Sequence, residues 1–248
     1  MLKIIYQKLF SFNATLGITL ILLFGIPRFI IVLEANATGN YNKIPIIFLL
    51  MWCLPFILLS KEGRTNIGIV KPKNYLWLIY SFLLGAILSA GVYYVGYFLY
   101  EHSNSHWFVY TSKSFEQVIG MIAKRPDDKI IYFWIYAIIS MTFSPIGEEL
   151  LYRGVVHGSF VKKYGEQKAS YIDGAAFAIT HLAHFGIVYI AGTWDFFFIP
   201  ALIWVFLMFL TSQIFFICKQ QTGSIFGAVI SHAGFNLAMM YFIFYHVI

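Results

Sequence analysis

The stretch Ile130–Arg153, IIYFWIYAIISMTFSPIGEELLYR, decides the fold of this chain. Its apolar part, Ile130 to Gly147, is close to the roughly 20 residues that cross the hydrocarbon core of a bilayer, and it runs straight into Glu148, Glu149 and Arg153. Ionisable groups at the end of such a run are costly to keep in lipid, so they face a bundle interior or a water-filled cavity and mark a functional site by default. On a helix Glu149 and Arg153 are four residues apart and pair, while Glu148 points about 100° away from Glu149. One carboxylate therefore has a local counter-ion, and the other is free to meet a neighbouring helix.

The rest of the 248 residues have the same character: 60% are hydrophobic and 11% charged, with a mean hydropathy of +0.75. Soluble domains carry roughly a quarter charged residues, so this composition predicts a polytopic membrane protein without a sizeable aqueous domain. The net charge of +6 is spread around apolar spans, which speaks against nucleic acid as a partner and for the lipid bilayer. Cys53 and Cys218 lie in apolar runs and read as small buried hydrophobes, so neither a disulfide nor thiol chemistry is expected. The basic start, Lys3 and Lys8, leads into an apolar span without a small-residue cleavage pattern, and no cleavable signal peptide is expected.

Spans are predicted at about Leu9–Leu33, Ile44–Ser60, Leu76–Tyr100, Ile130–Phe160, Ala169–Ile190, Phe196–Ile217 and Gly223 to the C-terminus. Arg28, inside the first, either snorkels towards an interface or pairs inside the bundle, and the first is the expected outcome. Between the third and fourth spans, Phe115, Val118, Ile119 and Ile122 repeat at helical spacing, with Glu116, Gln117 and Lys124 off that face, which predicts a helix lying in the membrane interface. His102 and His106, just before it, read as solvated loop residues. Lys and Arg in the connecting segments outnumber those on the opposite side by about two to one if the N-terminus lies inside, which sets the orientation, with the C-terminus outside. Richness in Ile, Phe, Lys and Asn points to a bacterial source and so to a plasma membrane. The whole chain is expected to form one transmembrane domain, with residues 1–128 peripheral and residues 129–248 carrying the chemistry.

Polar side chains recur at one depth. His181 lies 13 residues after Lys168, His232 lies 13 after Lys219, and Glu149 lies 13 before Lys162, so at about 1.5 Å per residue all three are within about 20 Å of the inner surface. A carboxylate and a histidine that converge on a water can deprotonate it for attack on a carbonyl carbon. His232 and Asn236, four apart on one helix face, suit the oxyanion that results. The same Glu148, His181 and His232 would alternatively hold a divalent metal such as zinc, although no HExxH is present. Each group also has a plain structural reading, the histidines as packing residues and Glu149 with Arg153 as an ion pair; only their coincidence at one level argues for chemistry. His184 at most supports His181 from behind, His157 marks the inner end of its helix, and His246 carries no argument.

The runs Ser144 to Gly154, Phe177 to His181, and Thr222 through His232 to Asn236 resemble the EExxxR, FxxxH and HxxxN motifs of the CAAX-processing and bacteriocin-processing intramembrane proteases, the Abi family. The similarity covers about Ile130 to Met240, and Ile67-Gly68-Ile69 with Lys71 to Lys73 resembles the connector that precedes the core in that family. The resemblance implies an all-α bundle of about eight helices, seven by span count, around an intramembrane polar cavity. It also implies hydrolysis of a membrane-associated peptide, either prenylated or bearing a leader. By the family pattern Glu148 activates water, His181 helps to hold it, His232 and Asn236 stabilise the oxyanion, and Glu149 and Arg153 support the site. The family motifs leave open whether a metal is needed; in the glutamate-base reading no cofactor is required. One departure is the helix before the last motif, which has no glycine between Gly192 and Gly223 and instead carries Phe206, Phe209, Phe215 and Phe216. Two other classes fit the residues: a non-catalytic membrane scaffold or bacteriocin-immunity partner that keeps the motifs for structure, and a proton- or cation-coupled transporter, against which the lack of internal repeats counts.

Overall fold

A computed structural model describes residues 1–248 as a bundle of helices with lipid-type side chains on its outside. The N-terminal part comprises α1 (Ile4–Gln7), α2 (Ala14–Thr38), α3 (Ile44–Leu58), α4 (Lys61–Asn66) and α5 (Leu76–Tyr100). Two short elements follow, α6 (Trp107–Ser112) and α7 (Glu116–Lys124). The second half contains α8 (Lys129–Glu149), a π-helical turn (Leu150–Val156), α9 (His157–Thr180), a β-hairpin of β1 (Ile187–Ile190) and β2 (Thr193–Phe196), α10 (Phe198–Thr222) and α11 (Ile225–Phe242).

Five helices are long and apolar enough to cross a bilayer, fewer than the seven spans expected. The difference has two causes. Helix α3 is apolar but only 15 residues long. The fourth and fifth spans form a single stretch, Pro126–Ala183, which breaks at Gly165, where φ is 76° and ψ 167°. Only glycine enters that backbone region without strain, so the chain turns there and its two arms lie side by side. The fifth span also ends earlier than expected: α9 stops at Thr180, and Ile187–Phe196 form the hairpin, with Ile190 opposite Thr193 across a two-residue turn. The run IVYI is apolar and β-branched, and it suits a short strand as well as the end of a span. The first span is shifted to Ala14–Thr38, its start set by Asn13, whose side chain accepts the Leu16 amide.

The bundle is organised around α11, which packs on α5, α8 and α10. Its closest neighbour is α5. A Cβ on Gly85 would collide with the Ser231 carbonyl, and one on Gly234 with that of Phe82, so small residues let the two backbones touch, as is usual between helices in lipid. The start of α11 is held by the connector that follows α4: the Ile225 amide donates to the Gly68 carbonyl, Ser224 Oγ to that of Val70, and the Lys73 amide to that of Thr222. Helix α7 forms with the buried face that the sequence predicts: Val118 is buried, Phe115, Ile119 and Ile122 are half-buried, and Glu116, Gln117 and Lys124 are exposed.

Two further expectations are corrected. His106 is fully buried, not solvated; its Nδ1 accepts the Phe108 amide at the start of α6, and its ring packs against Tyr93. Burial in this apolar setting pushes its pKa down to about 4. Cys53 sits on the exposed face of α3, whereas Cys218 is buried as expected.

Candidate active site

The sequence Gly147-Glu148-Glu149 ends α8, and the chain then widens into the π turn that carries Arg153. Turns of this kind are rare and cluster at functional sites. All seven of its residues are buried, as are both glutamates. The two carboxylates face different helices, as the roughly 100° offset predicts.

Glu148 faces α2. Its Oε1 accepts a hydrogen bond from Arg28 Nη2 at 2.8 Å, with both side chains 2% exposed. Arg28 therefore pairs inside the bundle and does not snorkel. Its Nη1 donates to Thr180 Oγ1 at 3.1 Å, and Nη2 also lies 3.3 Å from His184 Nε2, which must accept because a guanidinium only donates. Phe48 of α3 closes over the guanidinium at 5.6 Å. Glu148 Oε2 is buried and has no partner.

Glu149 faces α11 instead. Its Oε1 accepts from His232 Nδ1 at 2.9 Å, and Arg153 Nε lies 3.2 Å from Oε2, at ion-pair distance but without hydrogen-bond alignment. Arg153 also lies 3.8 Å from Asp173 Oδ1. Asp173 Oδ2 in turn accepts from His157 Nδ1 at 2.7 Å, and His157 Nε2 meets Glu166 Oε2 at 2.9 Å. Both ring nitrogens of His157 thus meet carboxylates. Lys219 Nζ completes the group with a hydrogen bond to the Arg153 carbonyl. A continuous ionic chain thus runs from His232 to Glu166, whose side chain is exposed beside a pocket of about 260 Å³.

The ring of Phe177, first residue of its motif, joins the two halves. His181 packs on it at 4.3 Å and His232 at 5.9 Å, and the Arg153 guanidinium lies over it at 4.3 Å. His181 Nδ1 donates to the Phe177 carbonyl at 2.8 Å, which leaves Nε2 with its lone pair. His232 stacks on Phe215 at 4.8 Å, so one of the bulky residues of α10 serves as a wall of the site, and Phe206 points outward. Phe216 packs on His157, at the other end of the ionic chain. Asn236 is buried, but both hydrogens of its amide are directed at α8, to the Ser140 carbonyl at 2.7 Å and Ser144 Oγ at 3.1 Å.

The trio Glu148, His181 and His232 does not form a metal centre in this arrangement: no three His, Cys, Asp or Glu side chains converge as ligands. Arg28, Asp173, His157, Glu166 and Lys219 take part in the site although the sequence patterns do not place them there. Arg28 and Asp173 carry a signal, as lone charges within the first and fifth spans.

Residues 130–238 match the Rce1-like family, described as type II CAAX prenyl endopeptidase Rce1-like. This Rce1-like segment includes α8, the π turn, α9, α10 and most of α11, and hence Glu148, Glu149, Arg153, His181, His232 and Asn236. At family level the match supports a CAAX-type intramembrane protease, and with its long apolar helices the chain is an integral membrane protein. Arg28 lies outside the Rce1-like segment. No curated protein and no solved structure matches the chain.

Proposed function

We propose that this protein is an intramembrane endopeptidase that hydrolyses a peptide bond in a membrane-associated peptide, prenylated or leader-bearing, using water activated by Glu148. The observation that carries this reading is the unequal use of two adjacent carboxylates. Glu149 accepts from His232 through Oε1 and holds Arg153 at ion-pair distance through Oε2, whereas Glu148 is fixed by Arg28 through Oε1 and keeps a buried Oε2 without a hydrogen-bond partner. A carboxylate held in this way has one free basic oxygen in a fixed place, which is what a general base needs.

In the proposed cycle Glu148 Oε2 takes a proton from water while the water oxygen bonds to the scissile carbonyl carbon, and the carbonyl electron pair moves onto its oxygen. The Nε2 lone pair of His181 accepts the second hydrogen of the water and so orients it. The oxyanion is met by the His232 ring, which Glu149 fixes in place through Nδ1. Asn236 would join by releasing Ser144, the longer of its two hydrogen bonds. Collapse re-forms the carbonyl, breaks the C–N bond, and the leaving nitrogen takes the proton from Glu148.

The test compares small membrane-associated peptides, by mass spectrometry, in cells that make the natural chain or Glu148→Gln. Glutamine keeps the shape and still accepts from Arg28, so the protein should accumulate normally. Products should vanish and precursors rise, and a loss of turnover of at least about 10³-fold is expected for removal of the base. Full biological activity in Glu148→Gln would sink the reading and favour a scaffold or immunity role.

A further inference from the structure

The guanidinium of Arg28 has an unusual set of neighbours. It comes from α2, outside the Rce1-like segment, yet each polar group it contacts lies inside or beside the hydrolytic residues of that segment. Glu148 accepts from it directly. Thr180 and His184 are its other two partners, and they bracket His181, one residue before it and three after. The fork therefore spans from the end of α8 to the turn that follows α9, and it fixes Glu148 relative to His181 although it does not touch the latter.

We propose that Arg28 is a positioning residue of the hydrolytic site: it clamps Glu148 and the two flanks of His181, and so sets the distance between the general base and the histidine that orients the water. This rests on the reading of Glu148 as the base. Three local features support it. A Cβ on Gly25, one turn before Arg28, would already be in van der Waals contact with the Thr180 methyl, so α2 packs closely on the end of α9 here. Phe48 covers the guanidinium and limits its movement. The remaining donor, Nε, is buried without a partner, so this arginine is not placed for maximal ion pairing alone. The planar fork matters as much as the charge, because a lysine has a single nitrogen and cannot reach Thr180 and Glu148 in the same way.

The experiment uses full-length protein purified in detergent, with the peptide whose cleavage depends on Glu148, and reads kcat and KM for Arg28→Gln, Arg28→Lys and Thr180→Val. Arg28→Gln should lower kcat by about 10²-fold or more with KM changed less than about threefold, since a misplaced base affects the transition state and not substrate binding. Arg28→Lys should recover part of that loss. Thr180→Val, which keeps shape and removes one arm of the clamp, should lower kcat by about 3- to 10-fold in fully folded protein. Wild-type kcat in folded Arg28→Gln, or a loss confined to KM, overturns the inference. If Arg28→Gln does not fold, Thr180→Val decides: a lowered kcat supports the clamp and a wild-type kcat removes it. Turnover that persists in Glu148→Gln would instead bring down the proposed function, whereas an inactive Glu148→Gln beside a normal Arg28→Gln removes the clamp alone.

Discussion

Glu148 and Glu149 are adjacent in sequence, equally buried, and surrounded in opposite ways. Glu148 meets one cation from a distant helix and retains an unengaged oxygen. Glu149 belongs to a chain that also includes His232, Arg153, Asp173, His157 and Glu166. The difference teaches how a bundle in lipid separates reactivity from cohesion: the carboxylate held by one cation through one oxygen is available for proton transfer, and the one between a histidine and an arginine ties helices together. Buried ion pairs contribute little net stability compared with apolar replacements, but removal of one partner leaves an uncompensated charge, and that is expensive.

The sharpest way to break this comparison is to exchange the two roles. Glu149→Ala leaves Arg153 short of a counter-charge and should destabilise the fold by about 3–5 kcal/mol, seen as a lower thermal midpoint in detergent. Glu148→Gln should change that midpoint far less, because its amide oxygen still accepts from Arg28, while it removes activity. If both substitutions unfold the protein alike, the division of labour is wrong. A weaker effect is expected further along the chain. Asp173→Asn keeps one acceptor for His157 but withdraws the negative charge from Arg153, which should cost about 1–3 kcal/mol by chemical or thermal unfolding. Activity should survive it in the folded fraction.

The smallest effect concerns a buried histidine with no counter-charge. His106 has a pKa lowered from 6.5 to about 4, so it is neutral when folded and takes up a proton on unfolding between those values. The unfolded chain then binds more protons, and stability, full above about pH 6.5, is lost as pH falls towards 4. His106→Asn, which retains a cap acceptor for the Phe108 amide, should flatten the pH dependence of the thermal midpoint between pH 7 and pH 5. An unchanged slope would show that other groups control it.

Much of this architecture was legible in the sequence because lipid imposes simple demands. Apolar length gave the bounds of α5 and closely those of α3, and helical spacing gave α7 with its buried face. The angle between Glu148 and Glu149 gave two directions of approach, and it correctly separated the partner of one from that of the other. What could not be read was the identity of distant partners. Arg28 lies 120 residues from Glu148, and periodicity within a span does not reveal which neighbour a polar side chain will find. A lone arginine in an apolar run has two outcomes, interface or interior, and only packing selects between them. His106 was misplaced for the same reason: its surroundings, His102 to Ser105, are polar, but the chain folds back and buries it against α5. The β-hairpin was hidden because an apolar strand and the end of an apolar helix share a composition.

The π turn at Leu150–Val156 has a genetic consequence. Such a turn is an α-helix with one surplus residue, so a single-codon deletion within it would restore ordinary helical spacing at the cost of rotating everything upstream by about 100° relative to Arg153. Arg153 would lose Glu149, and Glu148 would swing away from α2. In-frame removal of the Leu150, Leu151 or Tyr152 codon, between Glu149 and Arg153, should therefore be far less tolerated than a conservative replacement at the same position, and lineages that carry this site should keep that spacing constant even where its letters change.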